Sequence, residues 1–298
     1  MCPLTPKAAS MGTDKPNYAS EYTTEQLERS RRALLQLAVA LGDHAGDVVL
    51  VGGLVPVFLV DQDSSTGRDG HVGSADVDLG LSIVVVDGHR YDELSRRLAG
   101  RGFLPGRNSA GNPTKQRWVF ESDDSIVVDF LIDEAQTGHP PWGRVMHLGR
   151  DLGALRVQGL SLAFQDVADR VVRGETLDGA YAERTIRVCG PAAFIVLKAL
   201  AFRNRDARKD AYDLEYVLRS IDGGLDLVAD RFRALCDDPA AILALSLLRE
   251  DFASEAATGP RAASEFLFRR INPDFVADFV GNVRHFLKLV GQVPGAET

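Results

Sequence analysis

Cysteine is scarce in this chain of 298 residues: Cys2, Cys189 and Cys236 stand far apart, odd in number and without metal-ligand spacing. That excludes a disulfide framework and a zinc site, and it makes a reducing cytoplasm the expected setting. Long apolar runs are also missing. The stretch to about Ser20 is polar and contains proline, with no apolar leader core, and no later segment approaches the roughly 18 uninterrupted apolar residues of a membrane span. A cytoplasmic protein with no membrane partner is expected. Positive charge is in deficit, with 34 Lys and Arg against 42 Asp and Glu for a net −8. Non-specific coating of nucleic acid relies on many cationic phosphate contacts, so that function class is disfavoured, although a local basic groove is not. No Gly-x-Ser-x-Gly elbow follows a strand. Gly102, Gly106 and Gly111 have the wrong spacing for a dinucleotide fingerprint, and His44, His89, His139, His147 and His285 lie apart.

Hydrophobic residues make up 45% of the chain, enough for a substantial core in one large or two modest domains. Leu27, Leu34, Leu35, Leu37, Ala38 and Leu41 recur at helical spacing, and Thr23 with Gln26 three residues on forms a capping box at the start of that helix. Asp47 to Val51 is a short strand ended by Gly52-Gly53, and Leu54 to Val60 resumes as a short helix with Pro56 in its first turn. Asp61 to Gly73, rich in Asp, Ser and Gly, is expected to be a surface loop. Asp76 to Val86 is a central strand, Tyr91 to Leu98 a helix, and Arg117 to Glu121 with Ser125 to Ile132 a hairpin. His139-Pro140-Pro141-Trp142 breaks the chain, and Leu155 to Phe164 and Thr185 to Val188 are expected strands. After Gly190 the pattern stays helical: Ala192 to Arg203, Arg208 to Ile221, Leu225 to Cys236, Ala240 to Leu248, Ala262 to Arg270 and Asp274 to Leu289. The expected class is α+β, with a tail over 1–20, a mixed-sheet domain over 21–189, a helical domain over 190–292 and a tail over 293–298.

The chemistry-bearing pattern is Val51-Gly52-Gly53, then Asp76-Val77-Asp78, then Asp129 inside the apolar run Ile126 to Ile132. Side chains alternate along a strand, so Asp76 and Asp78 share a face while Val77 and Leu79 point to the core. Two carboxylates on one face are costly without a cation between them, and Mg²⁺ prefers such oxygen ligands together with substrate phosphates. Asp129 on a neighbouring strand would complete a two-metal clamp. A strand that turns through glycines into a helix presents N–H groups to an anion. Ser74 either donates to a phosphate or is an ordinary loop serine.

These residues resemble the signature of the DNA-polymerase-β-like nucleotidyltransferase superfamily. Lys198-Ala-Leu-Ala-Phe-Arg203 followed by Arg208-Lys209-Asp210-Ala-Tyr-Asp213-Leu214 is similar to the helical motif of the AbiEii/AbiGii toxin-like nucleotidyltransferases, relatives of the MenT toxins, and the likeness covers roughly residues 48 to 218. The resemblance implies a nucleotidyltransferase-type sheet with a nucleoside triphosphate on Gly52, Gly53 and Ser74, and two Mg²⁺, or Mn²⁺, on Asp76, Asp78 and Asp129. It further implies Lys198 and Asp210 in catalysis, with Lys198, Arg203 and Lys209 at the phosphates. An RNA acceptor follows from it too, the 3′ end of tRNA above all, with toxin activity in a toxin–antitoxin or phage-defence system and a cognate antitoxin as partner. Where relatives often carry an Arg before the acidic strand, this chain has His71-Val72-Gly73-Ser74, and the long preceding loop carries Asp61, Asp63 and Asp69.

Read without the family, Lys198 lies in a helix apolar nearly all round. It either meets a polyphosphate as a point charge or snorkels to the surface. Asp210 and Asp213 share a helical face, where they either order the lysines or form a solvated salt-bridged surface. Arg107, Lys115 and Arg117 are candidates for acceptor contacts. Three other functions use the same pattern: transfer to a small molecule of the antibiotic type, transfer to a protein hydroxyl, and nucleotide binding without turnover.

Overall fold

The computed structural model describes residues 16–60, 70–82, 88–134 and 144–292. The expectations for residues 61–69, for 83–86 of the expected central strand, for 139–142 and for the two chain ends 1–15 and 293–298 lie outside the described residues. Within them the architecture is mixed α/β, with ten α-helices and a mixed sheet of nine strands.

Helix α1 (Thr24–Leu41) begins where the capping box places it: Gln26 N–H donates to Thr23 Oγ1 at 3.1 Å and Thr23 N–H to Gln26 Oε1 at 2.9 Å. That reciprocal pair satisfies two of the donors a helix start leaves open. The strands are β1 (Val48–Val51), β2 (Asp76–Leu81), β3 (Phe103–Arg107), β4 (Pro113–Phe120), β5 (Asp123–Asp133), β6 (Val145–His147), β7 (Gly153–Val157), β8 (Val167–Glu175) and β9 (Tyr181–Cys189). Their order is β3-β4-β5-β2-β1-β9-β8, with β7 on the far half of β5 and β6 on β7. β5 lies parallel to β2 and β9 parallel to β1, whereas β1 and β2 are antiparallel. The chain therefore leaves β1 at the same end of the sheet at which it enters β2. All four residues of β1 are buried, as expected of a strand covered on both faces.

Helices α2 (Pro56–Leu59), α3 (Gly88–Ala99) and α4 (Leu162–Gln165) punctuate the strands. Six more follow β9 without interruption: α5 (Pro191–Arg205), α6 (Arg208–Ser220), α7 (Gly224–Arg233), α8 (Pro239–Phe252), α9 (Thr258–Phe268) and α10 (Pro273–Gly291). One hydrophobic cluster runs from the sheet through α5 and α6 into these helices, so the sheet and the helices share a core.

The expected strand Asp76 to Val86 ends at Leu81, with Ser82 outside it, and three other segments depart from or add to the sequence reading. Leu155 to Phe164 is not one strand: Gly159 adopts φ +76° and Ser161 N–H donates to Asp133 Oδ2 at 2.6 Å, which turns the chain into α4. β8 carries no apolar alternation because it is an edge strand with most side chains at least partly in solvent. Residues 19 and 20, read as tail, form with Glu21 a 3₁₀ turn held by Arg269 on Ser20 at 3.1 Å and on Glu21 at 3.0 Å. Among the described residues no helix is long and apolar enough to cross a membrane.

Candidate active site

The glycine turn and the acids meet because of strand register. Val51 pairs with Asp78, and Asp78 pairs with Asp129 on β5, so the two acids stand side by side with Asp76 two residues along the same face. Gly52 lies at φ +76°, and a Cβ there would overlap the Asp78 carboxylate. Glycine is required twice over, for the left-handed backbone and for the space Asp78 occupies. At Gly53 a Cβ would come within 2.8 Å of Lys209 Nζ and 3.1 Å of Ser74 Oγ, so turn, serine and lysine converge. Ser30 Oγ donates to the Ser74 carbonyl at 2.7 Å, and Asp76 N–H donates to Ser74 Oγ at 3.4 Å, tying the approach to β2 against α1.

Asp129 has a partner that the sequence reading assigned elsewhere. Arg117, directly across from it on β4, donates from Nε to Oδ1 at 2.8 Å and from Nη2 to Oδ2 at 2.7 Å. This fork-on-carboxylate geometry is the strong form of ion pair. Arg117, Asp129 and Asp78 thus form one row across three strands. The guanidinium pKa is raised by the hydrogen bonds to Asp129 and by the charges of Asp129, Asp76 and Asp78, with burial opposing.

Opposite the acids, α5 and α6 contribute a buried network. Lys198 is 5% exposed and does not snorkel: Nζ donates to Asp210 at 2.8 Å and to Asp213 at 2.6 Å. Arg205 forks onto Asp210 at 2.6 and 2.7 Å, and Lys209 donates to the other Asp213 oxygen at 2.7 Å. His71 completes the set. Its Nδ1 accepts from Gly73 N–H at 3.0 Å, so Nε2 carries the proton and donates to Asp213 at 2.9 Å. Its ring stacks on Tyr212, and burial pushes its pKa down to about 4 even though Asp213 pulls the other way.

Burial works against the Lys198 charge, but Asp210 and Asp213 outweigh it and the pKa is raised. Lys209 holds one carboxylate and feels Lys198, so burial prevails and its pKa is lowered. Burial would raise both carboxylates; the cations Lys198 and Arg205 at Asp210, and Lys198 and Lys209 at Asp213, hold both below the usual range. Within this network the three cations Lys198, Arg205 and Lys209 outnumber the two carboxylates Asp210 and Asp213 by one, with His71 neutral. The buried acids thereby fix lysines that would otherwise be mobile, at a desolvation cost that only full pairing offsets.

Between the acid row and this network opens a cleft of about 660 Å³, lined by Asp76, Asp78, Gly53 and Ser74 on one side and by Lys198, Arg205, Lys209 and Arg208 on the other. Tyr22, Arg261 and Phe266 close its helical end, and Tyr22 lies under Lys209 at 5.6 Å. Among the described residues no group of three or more His, Cys, Asp or Glu side chains is gathered as a metal site. The donor chemistry of Asp76 and Asp78 fits a hard divalent cation that takes its remaining ligands from phosphate or water; Asp129 fits only when Arg117 yields.

Of the residues singled out in the sequence, Gly52, Gly53, Ser74, Asp76, Asp78, Lys198, Lys209 and Asp210 come together around the cleft, and Asp129 stands one strand behind Asp78. Arg203 does not join them. It points to α8 and pairs with Glu250 at 2.7 Å and Asp251 at 2.8 Å, because five-residue steps such as Lys198 to Arg203 leave a helix face. Arg205 takes the position at the acids instead. His71 went unassigned because it lies in a segment whose composition reads as loop; it is 4% exposed. A comparison with protein-family models and with curated proteins finds no match.

Proposed function

We propose that this chain is a metal-dependent nucleotidyltransferase, moving a nucleoside monophosphate from a nucleoside triphosphate to an acceptor hydroxyl. The observation that carries the reading is the meeting of Gly52-Gly53, Asp76 and Asp78 at one wall of a cleft whose other wall is cationic. A volume of about 660 Å³ suits a nucleotide-sized ligand. In the reaction, the acceptor oxygen bonds to the α-phosphorus, the bond to the bridging oxygen breaks, pyrophosphate leaves and the acceptor proton passes to water.

Lys198, Lys209 and Arg205 meet the negative charge of the triphosphate, held in place by Asp210 and Asp213 so that they need no reorganisation when charge moves to the leaving group. Asp210, already committed to two cations, positions them and is a poor base. When bound to Asp76 and Asp78, Mg²⁺, or Mn²⁺ in its place, supplies Lewis acidity at the acceptor hydroxyl and neutralisation at the pyrophosphate. The nucleotidyltransferase-type fold is part of the same reading.

For the acceptor we take RNA, the 3′ end of tRNA, with the chain as the toxin of a toxin–antitoxin or phage-defence system and an antitoxin as partner. Exposed Arg208 and Arg261 beside the cleft, in a chain of net charge −8, favour a polyanion over a small neutral acceptor. The test is incorporation of each α-labelled nucleoside triphosphate into total tRNA with Mg²⁺, by the wild type and by Asp76→Ala or Asp78→Ala. Label from the wild type alone, with unchanged circular dichroism for the variants, is the expected result. Undiminished Mg²⁺-dependent transfer by either variant would sink the metal assignment, and no label from the wild type would overturn the RNA acceptor.

A further inference from the structure

Arg117 is a built-in counter-ion for the acid row. It reaches Asp129 from the adjacent strand through two hydrogen bonds, at 2.8 and 2.7 Å, in the row that contains Asp78. Three carboxylates on one sheet face repel one another, and a guanidinium seated among them relieves that repulsion. Its side chain is 42% exposed while that of Asp129 is 14% exposed, so the arginine can swing out into solvent more readily than the acid. The arginine therefore competes with any divalent cation for Asp129.

We propose that Arg117 is a latch on the acid row, occupying Asp129 until a divalent cation arriving with a polyphosphate displaces it. The inference rests on the nucleotidyltransferase reading and names how that site is regulated. A latch of this kind suppresses binding of bare metal and makes a complete site depend on the substrate. Its signature is an inverse one, since removing a positive residue that bonds a ligand of the metal strengthens metal binding in the absence of nucleotide. A structural role for the pair predicts the opposite, because loss of the ion pair would loosen β4 from β5 and weaken every ligand.

The test is Mn²⁺ binding to the full chain without nucleotide, read from the paramagnetic resonance signal of free Mn²⁺, together with the metal-induced rise in unfolding temperature. Wild type, Arg117→Gln, Arg117→Lys, Asp129→Asn, Asp76→Asn and the Arg117→Gln, Asp129→Asn double variant are compared. Arg117→Gln is expected to bind Mn²⁺ about tenfold tighter or more, as loss of a competitor held by two charge-assisted hydrogen bonds implies. It also gains more thermal stability from Mn²⁺ than the wild type does. Arg117→Lys, which keeps the charge but not the fork, is expected in between, and Asp129→Asn in the Arg117→Gln background removes the gain. Equal or weaker binding by Arg117→Gln, with binding still lost in Asp76→Asn, overturns the latch and leaves the metal site standing. Absence of Mn²⁺ binding from every chain overturns both. Should Arg117→Gln fail to fold, Arg117→Lys decides, and unchanged affinity there overturns the latch.

Discussion

Acidification is expected to destabilise this protein through one buried histidine. His71 is fully enclosed, with its Nε2–H on Asp213 and its Nδ1 accepting from Gly73, so a second proton on Nδ1 would point at the Gly73 N–H. Burial holds its pKa at about 4 against an ordinary 6.5, with Asp213 only partly compensating. Above 6.5 the ring is neutral in both folded and unfolded chains. As the pH falls from there toward 4 the unfolded chain takes up a proton that the folded chain refuses, so stability present above the unfolded pKa is lost across that window. The linkage relation gives about 3 kcal/mol for the whole window and about 2.5 kcal/mol of it by about pH 4.5.

Urea unfolding of the wild type and His71→Gln at about pH 7.5 and about pH 4.5 isolates this term. Other carboxylates titrate alike in both chains, and the stabilisation from the depressed Asp210 and Asp213 is lost only at lower pH. The wild type is expected to be the more stable at the higher pH and to lose about 2.5 kcal/mol relative to the variant on acidification. A gap between the two chains that stays constant to within about 0.5 kcal/mol would refute the reasoning, since it would mean that Asp213 supports a charged His71 in the fold.

Much of this architecture was legible wherever one local rule acted alone. Thr23 and Gln26 marked the start of α1, the hairpin of β4 and β5 was expected although its turn is the shorter Glu121-Ser122, and Pro191 opens the helical run. The pairing of Asp76 and Asp78 followed from alternation along one strand. What stayed hidden depends on which strands lie beside each other. Arg117 is an unremarkable strand arginine until register sets it opposite Asp129, and no periodicity within β4 reveals that. His71 is separated from Asp213 by 142 residues, and only tertiary packing turns a loop histidine into a buried donor. The sequence reading placed Arg203 at the phosphates and gave Arg205, two residues on, no role. The helix phase and the left-handed Asp206 that ends α5 send one to Glu250 and the other to Asp210.

Two further substitutions test the geometry of the site. Gly52→Ala combines a left-handed backbone with overlap of the Asp78 carboxylate, and it is expected to cost about 1–3 kcal/mol in urea unfolding and to abolish transfer; full activity in a stable Ala variant would show that the turn need not keep its conformation. The buried network makes a sharper prediction about order. In Lys198→Met, Asp210 keeps the Arg205 fork and Asp213 keeps Lys209 and His71, so no buried charge is stranded and the loss is expected near 1–2 kcal/mol. In Asp213→Leu, Lys209 loses its one carboxylate among the described residues, Lys198 one of two, and His71 the acceptor of its Nε2–H, so the loss is expected at about 3–5 kcal/mol, the scale for a broken buried pair. Asp213, a single carboxylate shared by three donors, is thus the point on which the cationic wall depends, and Lys198 is the more dispensable for folding although it faces the cleft. Equal unfolding midpoints for the two variants, or the reverse order, would mean that the lysines are held by packing against Phe194 and Tyr22 and that the carboxylates do not position them.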